Sequence, residues 1–462
     1  EYCVKLDSLR LRDNAITDIS PLSEVQELIY LSIGANPITD ISVFSNFQKL
    51  NRLHCGNTQV SDFSHIAELS TLEVLGLAGN AIDNIDFVTN LTNLRSLFLK
   101  NNLITDIKPF VDNPGIGDGD YIRLRENPLS DMSIDTYIPQ LEARGVTVDY
   151  DEPEMVTFPD ANFEALIRES LNIPIGDIMN TDLTTIIELQ GSQREITNIS
   201  GIEHCTGLEI LDLGINTITD ISMLNSLTGL KILGLYGNSI TDINSISSLI
   251  NLEKLFLTTN NIVDISPVSE LTKIWHLSAG TNQIEDISSL SNLITLQELY
   301  LSYNALNDIS TLSSLTNLTL LELNNTQLTD TNFLSTLTNL RTLRIGRNAL
   351  TNLNGLTNLI NLENLDIRFA QTTNINVLAG LVNLTTLYMS TNEIVDISPL
   401  LGLINLNRVK LDVNQVVDIE TLVNNDGINS GDEIWLENNP LSDTSINTYI
   451  PALEARGVMV HQ

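Results

Sequence analysis

Aromatic side chains are scarce, only 5% of the 462 residues, so a core drawn from the 42% hydrophobic fraction must be packed from aliphatic side chains. Cysteine is scarcer still, and Cys3, Cys55 and Cys205 cannot form a closed disulfide set. Each stands where neighbouring segments place Val, Ile or Leu. Cys205, for example, aligns with Leu227, so the thiols read as small buried hydrophobes that say nothing of redox compartment. Positive charge is short: 23 Lys+Arg against 58 Asp+Glu leave a net charge of −35, which repels nucleic acid and anionic lipid headgroups. No stretch reaches the roughly 18 apolar residues of a membrane span, so no membrane insertion is expected within this segment, and no secretory signal is visible. The five histidines (54, 65, 204, 276 and 461) never recur at metal-ligand spacing. GxSxG, HExxH and phosphate-loop patterns are missing as well, so no catalytic site, metal or cofactor is expected.

What the chain has is self-similarity. Asn recurs at 14, 36, 80 and 102, and at 216, 238, 260, 282, 304, 348, 392 and 414, always 22 residues or a multiple apart within each series. Thr58, Thr326 and Ala370 fill the skipped positions. The stretch 230–251, LKILGLYGNSITDINSISSLIN, is representative. Its Leu-x-Leu pair has strand periodicity, both Leu inward and the residues between them outward, so stacked copies form a parallel sheet of short strands. An Asn amide at the buried turn can bond backbone groups of adjacent coils that would be costly to bury bare. Thr can do part of that work and Ala370 cannot, which predicts a local irregularity there. Six residues after the Asn stands Ser, Asn or Asp in most copies (Ser20, Ser222 and Asn244 among them), with Pro next at 21, 267 and 399. That order suggests an N-cap opening a brief 3₁₀ or α turn on the return side. Asp recurs four residues after the Asn, and a single column of carboxylates suits backbone N–H groups in a bend better than calcium, which needs six to eight converging oxygens.

This LxxLxLxxNxITDISPLSxLTN pattern resembles the 22-residue class of leucine-rich repeats found in bacterial internalins and similar surface proteins, and it covers nearly the whole chain. The resemblance implies a leucine-rich-repeat solenoid: a curved parallel β-sheet on the concave face, short 3₁₀ or helical turns on the convex side, and a helical N-terminal cap. It also implies adhesion or host-protein binding by a bacterial surface or secreted protein, hence an extracellular or cell-surface location.

Two arrays are present. Residues 111–148 recur as 423–460, identical at 26 of 38 positions, and each copy ends in SxxTYIPxLEARGV, a short helix stopped by Gly145 or Gly457 before a final strand. This divides the chain into a first array with its C-terminal cap (1–148), an acidic linker (149–157), a helical N-terminal cap and first coil (158–200), a second array (201–424) and a C-terminal cap (425–462). The chain opens in mid-repeat with EYCVKLDSLRLRDN, so the first array reads as a fragment whose own N-terminal cap is missing. In the second cap Asp160 is placed to start a helix whose apolar face is Phe163, Leu166, Ile167 and Leu171.

The surface most free to vary is the outward face of the second sheet. Its early coils carry Tyr236, Phe256, Tyr300 and Tyr303 with His276 near them, a ring-rich patch in a ring-poor chain. Such a patch suits a protein interface or sugar stacking, and scattered solvent-facing rings are the plain alternative. Farther along lie Arg344, Arg347, Arg368, Arg408 and Lys410, five of the twelve Lys/Arg in 157–462. The column Glu322, Arg344, Asp366, Tyr388, Lys410, Trp435 either meets an acidic partner or neutralises itself as a cross-strand ladder. The function expected is non-catalytic recognition of a protein through this face. Glycan or cell-wall binding through Tyr236, Phe256, Tyr300 and Tyr388, or a passive spacer, are the alternatives.

Overall fold

The computed structural model describes residues 5–462, which leaves Cys3 outside the described residues. The chain forms two compact units, 1–154 and 155–462. In the first, seven parallel three-residue strands run in sequence order from Ser8–Arg10 to Thr147–Asp149. In the second, thirteen do so from Glu188–Gln190 to Met459–His461. Each coil returns to start its next strand in the same direction, so the sheets are parallel. The register follows the repeat, with Leu211, Leu233, Leu255 and Leu277 side by side. Those leucines are fully buried, and each unit has one continuous, mainly aliphatic core of its own, which in the first unit also takes in Phe44, Phe47, Phe63, Phe87 and Phe110. No single coil can bury its apolar face, so stability resides in the stacking.

The Asn column is a hydrogen-bonded spine. Asn260 Nδ2 donates to Leu257 O in its own coil (3.0 Å) and to Leu235 O in the preceding one (2.9 Å), while Oδ1 accepts the N–H of Ile240 (3.0 Å). The residue before each spine position turns the chain off its strand in the left-handed region, as at Ile215, Thr259, Tyr303 and Arg347. Ala370 departs less than its missing amide suggests. The strands around it keep register, and Leu350 N–H bonds the carbonyl of Ala370 (3.0 Å) in place of a side-chain oxygen. The irregularity there is one rerouted bond, with Thr372 Oγ1 left buried and unbonded beside it. At Thr326 the hydroxyl reaches only its own coil, Leu323 O at 2.9 Å, and at Thr58 the Ile38 N–H turns back to Asn36 O. Depressions of about 560 and 990 Å³ open beside these two Thr coils, on the turns and away from the sheet face.

The return turns correct one expectation. Ser20, Ser222 and Asn244 are themselves the first residues of their 3₁₀ turns, and the residue preceding each turn offers no capping side chain. The cap sits two residues earlier: Asp18, Asp220 and Asp242 each accept the N–H two residues on, at 2.8–2.9 Å. All twelve Asp of that column do the same, so these carboxylates are engaged by their own bends.

The ends of the units also refine the reading. The division between the units falls between Glu154 and Met155, inside the acidic stretch 149–157. Asp149 ends the last strand of the first sheet and pairs with Arg123 and Arg125, whereas Met155 bridges to Met179 in the second unit. In the second unit Asp160 caps the helix Ala161–Leu171, and Phe163, Leu166 and Ile167 are buried against the first coil. Gly191 permits this contact, since a Cβ there would lie 2.5 Å from Leu166 Cδ2. Gly145 and Gly457, which follow the helices Ile138–Glu142 and Ile450–Ala455, are both left-handed.

Cys55 and Cys205 are fully buried in the two cores, and burial pushes both thiols up to about 12. Iodoacetamide at mildly alkaline pH is therefore expected to leave both unlabelled in the native protein and to modify both in guanidinium. Peptide mass mapping checks this, and native labelling of either would place that thiol outside the core.

Candidate binding face

Two columns of side chains leave the second sheet outward, from the first and third residues of each strand. Phe256 and Tyr300 stand third in Lys254–Phe256 and Glu298–Tyr300, and His276 stands first in the strand between them. The third residue of that middle strand is Ser278, small enough for the imidazole to lean across it. The His276 ring lies 4.6 Å from Phe256 and 5.2 Å from Tyr300, centroid to centroid. Its Nδ1 is 2.8 Å from Glu298 Oε2, and the same carboxylate oxygen accepts the Tyr300 hydroxyl at 3.4 Å. Burial first, and then the charges of Glu298 and Glu322, push the Tyr300 phenol up to about 12, so it remains a neutral donor. His276 Nε2 is buried and has no protein partner.

Tyr236 extends this group toward the N-terminal end. Its ring lies across Gly214, where a Cβ would come within 2.3 Å of Cζ, and its hydroxyl is 3.3 Å from Ser192 Oγ. Between Tyr236 and Phe256 lies an open, mainly apolar depression of about 460 Å³, completed by Ile215, Gly237, Thr258, Thr259 and Ser278. Tyr303 is not part of the cluster. It occupies the left-handed position before Asn304, half exposed at the rim.

The charged half is organised differently from a continuous ladder. Register does align Glu322, Arg344, Asp366, Tyr388, Lys410 and Trp435. Arg344 pairs with Glu322, but Asp366 is gripped by Arg368, two residues along its own coil, with Nε and Nη2 on its two oxygens at 3.0 and 2.6 Å. The Arg368 guanidinium then lies 5.3 Å over the Tyr388 ring. Lys410 sits between Tyr388 (5.4 Å) and Trp435 (4.5 Å), and Arg408 pairs with Glu433 at 3.5 Å. Arg347 is exposed at the rim, 4.6 Å over the Phe369 ring.

Sequence reasoning missed Glu298, Lys254, Trp275, Phe369 and His461. Glu298 and Lys254 lie one period either side of His276 and were within reach of a column reading. His461 stacks on Trp435 (4.7 Å, 8° between planes) but stands 26 residues on, because the last coil is longer than the repeat. Among the described residues no three His, Cys, Asp or Glu converge as a metal site, and no helix is long and apolar enough to cross a membrane.

Comparison with known proteins agrees with this architecture. The family model for leucine-rich repeats (two copies) matches residues 4–46, 70–112, 228–273 and 294–336. No curated protein sequence matches the chain. Among solved structures, an internalin (inlF) from Listeria monocytogenes is 33% identical, covers 66% of this chain and 90% of its own, and has a TM-score of 0.62. An internalin C2 (inlC2) from the same organism is 26% identical over 63% of this chain and 97% of its own, with a TM-score of 0.36. A leucine-rich-repeat protein of Leptospira interrogans is 19% identical over 100% of this chain and 97% of its own, with a TM-score of 0.48.

Proposed function

We propose, from the premise that this chain belongs to the internalin-like leucine-rich-repeat proteins of bacteria, that the outward face of its second sheet binds a protein. The setting we infer is a surface or secreted protein with an adhesion-like role. The observation that carries the reading is the open apolar depression between Tyr236 and Phe256, with His276 and Tyr300 ranged beyond Phe256 on the same face. Half-buried rings gathered beside an open depression are the usual anchors of protein interfaces. Sugar stacking needs free ring faces, and here His276 lies tilted between Phe256 and Tyr300, at 42° and 40°, and takes up part of the space over each.

Screening the full chain against arrayed extracellular proteins and, in parallel, a glycan array tests this. Protein hits are expected, and Phe256→Ala with Tyr300→Ala should weaken them at least tenfold, the loss of about 1.4 kcal/mol or more that anchor truncation brings. Hits confined to glycans, or protein binding indifferent to both substitutions, would defeat the reading.

A further inference from the structure

Cross-strand ion pairs come readily to this fold. Lys231 pairs with Glu209, Arg341 with Glu363, Arg344 with Glu322 and Arg408 with Glu433, each with the neighbouring coil. Three cations of the same sheet face and rim make no ion pair among the described residues: Lys254, Arg347 and Lys410. Their neighbours one coil away are Ile232 and His276, Asn325 and Phe369, and Tyr388 and Trp435. Each lies instead over a ring, Lys254 at 4.5 Å from Trp275, Arg347 at 4.6 Å from Phe369 and Lys410 at 4.5 Å from Trp435. A chain with 58 Asp+Glu has carboxylates in plenty, yet among the described residues none forms an ion pair with these three.

A ring and a carboxylate do different things to a cation. The carboxylate cancels its charge and occupies its N–H donors. The ring orients it through a weaker attraction and leaves charge and donors available to an incoming group. We propose that Lys254, Arg347 and Lys410 receive carboxylates of an acidic protein partner, an inference that rests on the protein-recognition reading above. Their coils are four and three strand spacings apart, about 19 and 14 Å at ~4.8 Å each. Such widely spaced cations match scattered Asp and Glu on a folded or extended polypeptide. They do not match a dense polyanion, whose charges recur every few ångströms and which the net charge of −35 repels.

The test uses the full chain as bait in selection from a randomised displayed-peptide library, beside a triple variant, Lys254→Gln, Arg347→Gln and Lys410→Gln. Gln is accepted at a left-handed position like that of Arg347, since Gln193, Gln327 and Gln371 adopt it here. An unchanged far-UV spectrum and melting curve will verify the fold. Recovered peptides are expected to be enriched in Asp and Glu beside apolar residues. The triple variant should bind them about tenfold more weakly, chiefly through slower association, and raised salt should do the same to the native protein. Recovered peptides without acidic enrichment, or equal affinity for the variant, overturn this inference and leave protein recognition standing. No peptide recovered by either bait overturns both. A heparin fragment that binds the native chain and not the variant overturns it in favour of a sulfated glycan.

Discussion

Replacing Asn260 with Ala is expected to lower the stability of the second unit by about 2–4 kcal/mol, a fall of roughly 3–6 °C in its melting transition. Three hydrogen bonds go with the amide, and their losses are unequal. Leu235 O and Leu257 O keep one donor each, from Asn238 and Asn282. The buried N–H of Ile240 has Asn260 Oδ1 as its acceptor and would be orphaned, which costs the desolvation of that group in full. Asn260→Asp should be worse, because it turns a second acceptor toward two carbonyl oxygens. The Ala370 coil supplies the contrary outcome, since there a backbone carbonyl takes over the bond. If Asn260→Ala melts within a degree of the native protein, coil 260 has rerouted in the same way and the spine does not hold the stack as argued.

Acid should open the second unit from its N-terminal cap. Asp160 Oδ1 accepts the N–H groups of Asn162 and Phe163, at 2.9 and 3.0 Å. Its Oδ2 accepts the Thr197 N–H and hydroxyl, both at 2.7 Å, and the Asn198 N–H at 3.2 Å. One carboxylate thus caps the helix and latches it to the first coil. Burial pushes this carboxyl up, but the N–H groups of Thr197, Phe163 and Asn198 with the Thr197 hydroxyl outweigh it and hold it at about 2, below its ordinary 3.8. A depressed folded value means the stabilisation is complete above 3.8 and is lost as pH falls through about 2. Asp160→Ala should remove it at every pH, at about 2–4 kcal/mol. Hydrogen exchange reads the consequence locally: amides of 161–190 should lose protection in the variant at neutral pH, while those of 250–440 keep theirs, as expected of stacked coils. Uniform deprotection, or none, would dismiss the latch.

The spacing of 22 was enough to place Leu255 beside Leu233 and Leu277, because one residue per coil at a constant interval can stack only in columns. The same logic aligned Glu322 with Arg344, and the duplicated 111–148 segment marked the matching helix and final strand of each unit. Which neighbour a charged side chain chooses was not legible in this way. Arg344 had a carboxylate in register on either side and took Glu322, while Asp366 was claimed by Arg368 of its own coil. Side-chain reach, rather than strand register, made that choice.

The periodic apolar positions and the spine residues, then, determined by themselves that the chain stacks into two parallel-sheet arrays, because burial and hydrogen-bond satisfaction leave a 22-residue coil no other way to hide its leucines. Only tertiary structure decided that His276 crosses Ser278 to join two rings, that Asp or Asn and not Ser caps the bends, and that Lys254, Arg347 and Lys410 rest on aromatic faces. Those outcomes depend on side-chain direction and local backbone turns of a few ångströms, and a repeat period carries no information about either.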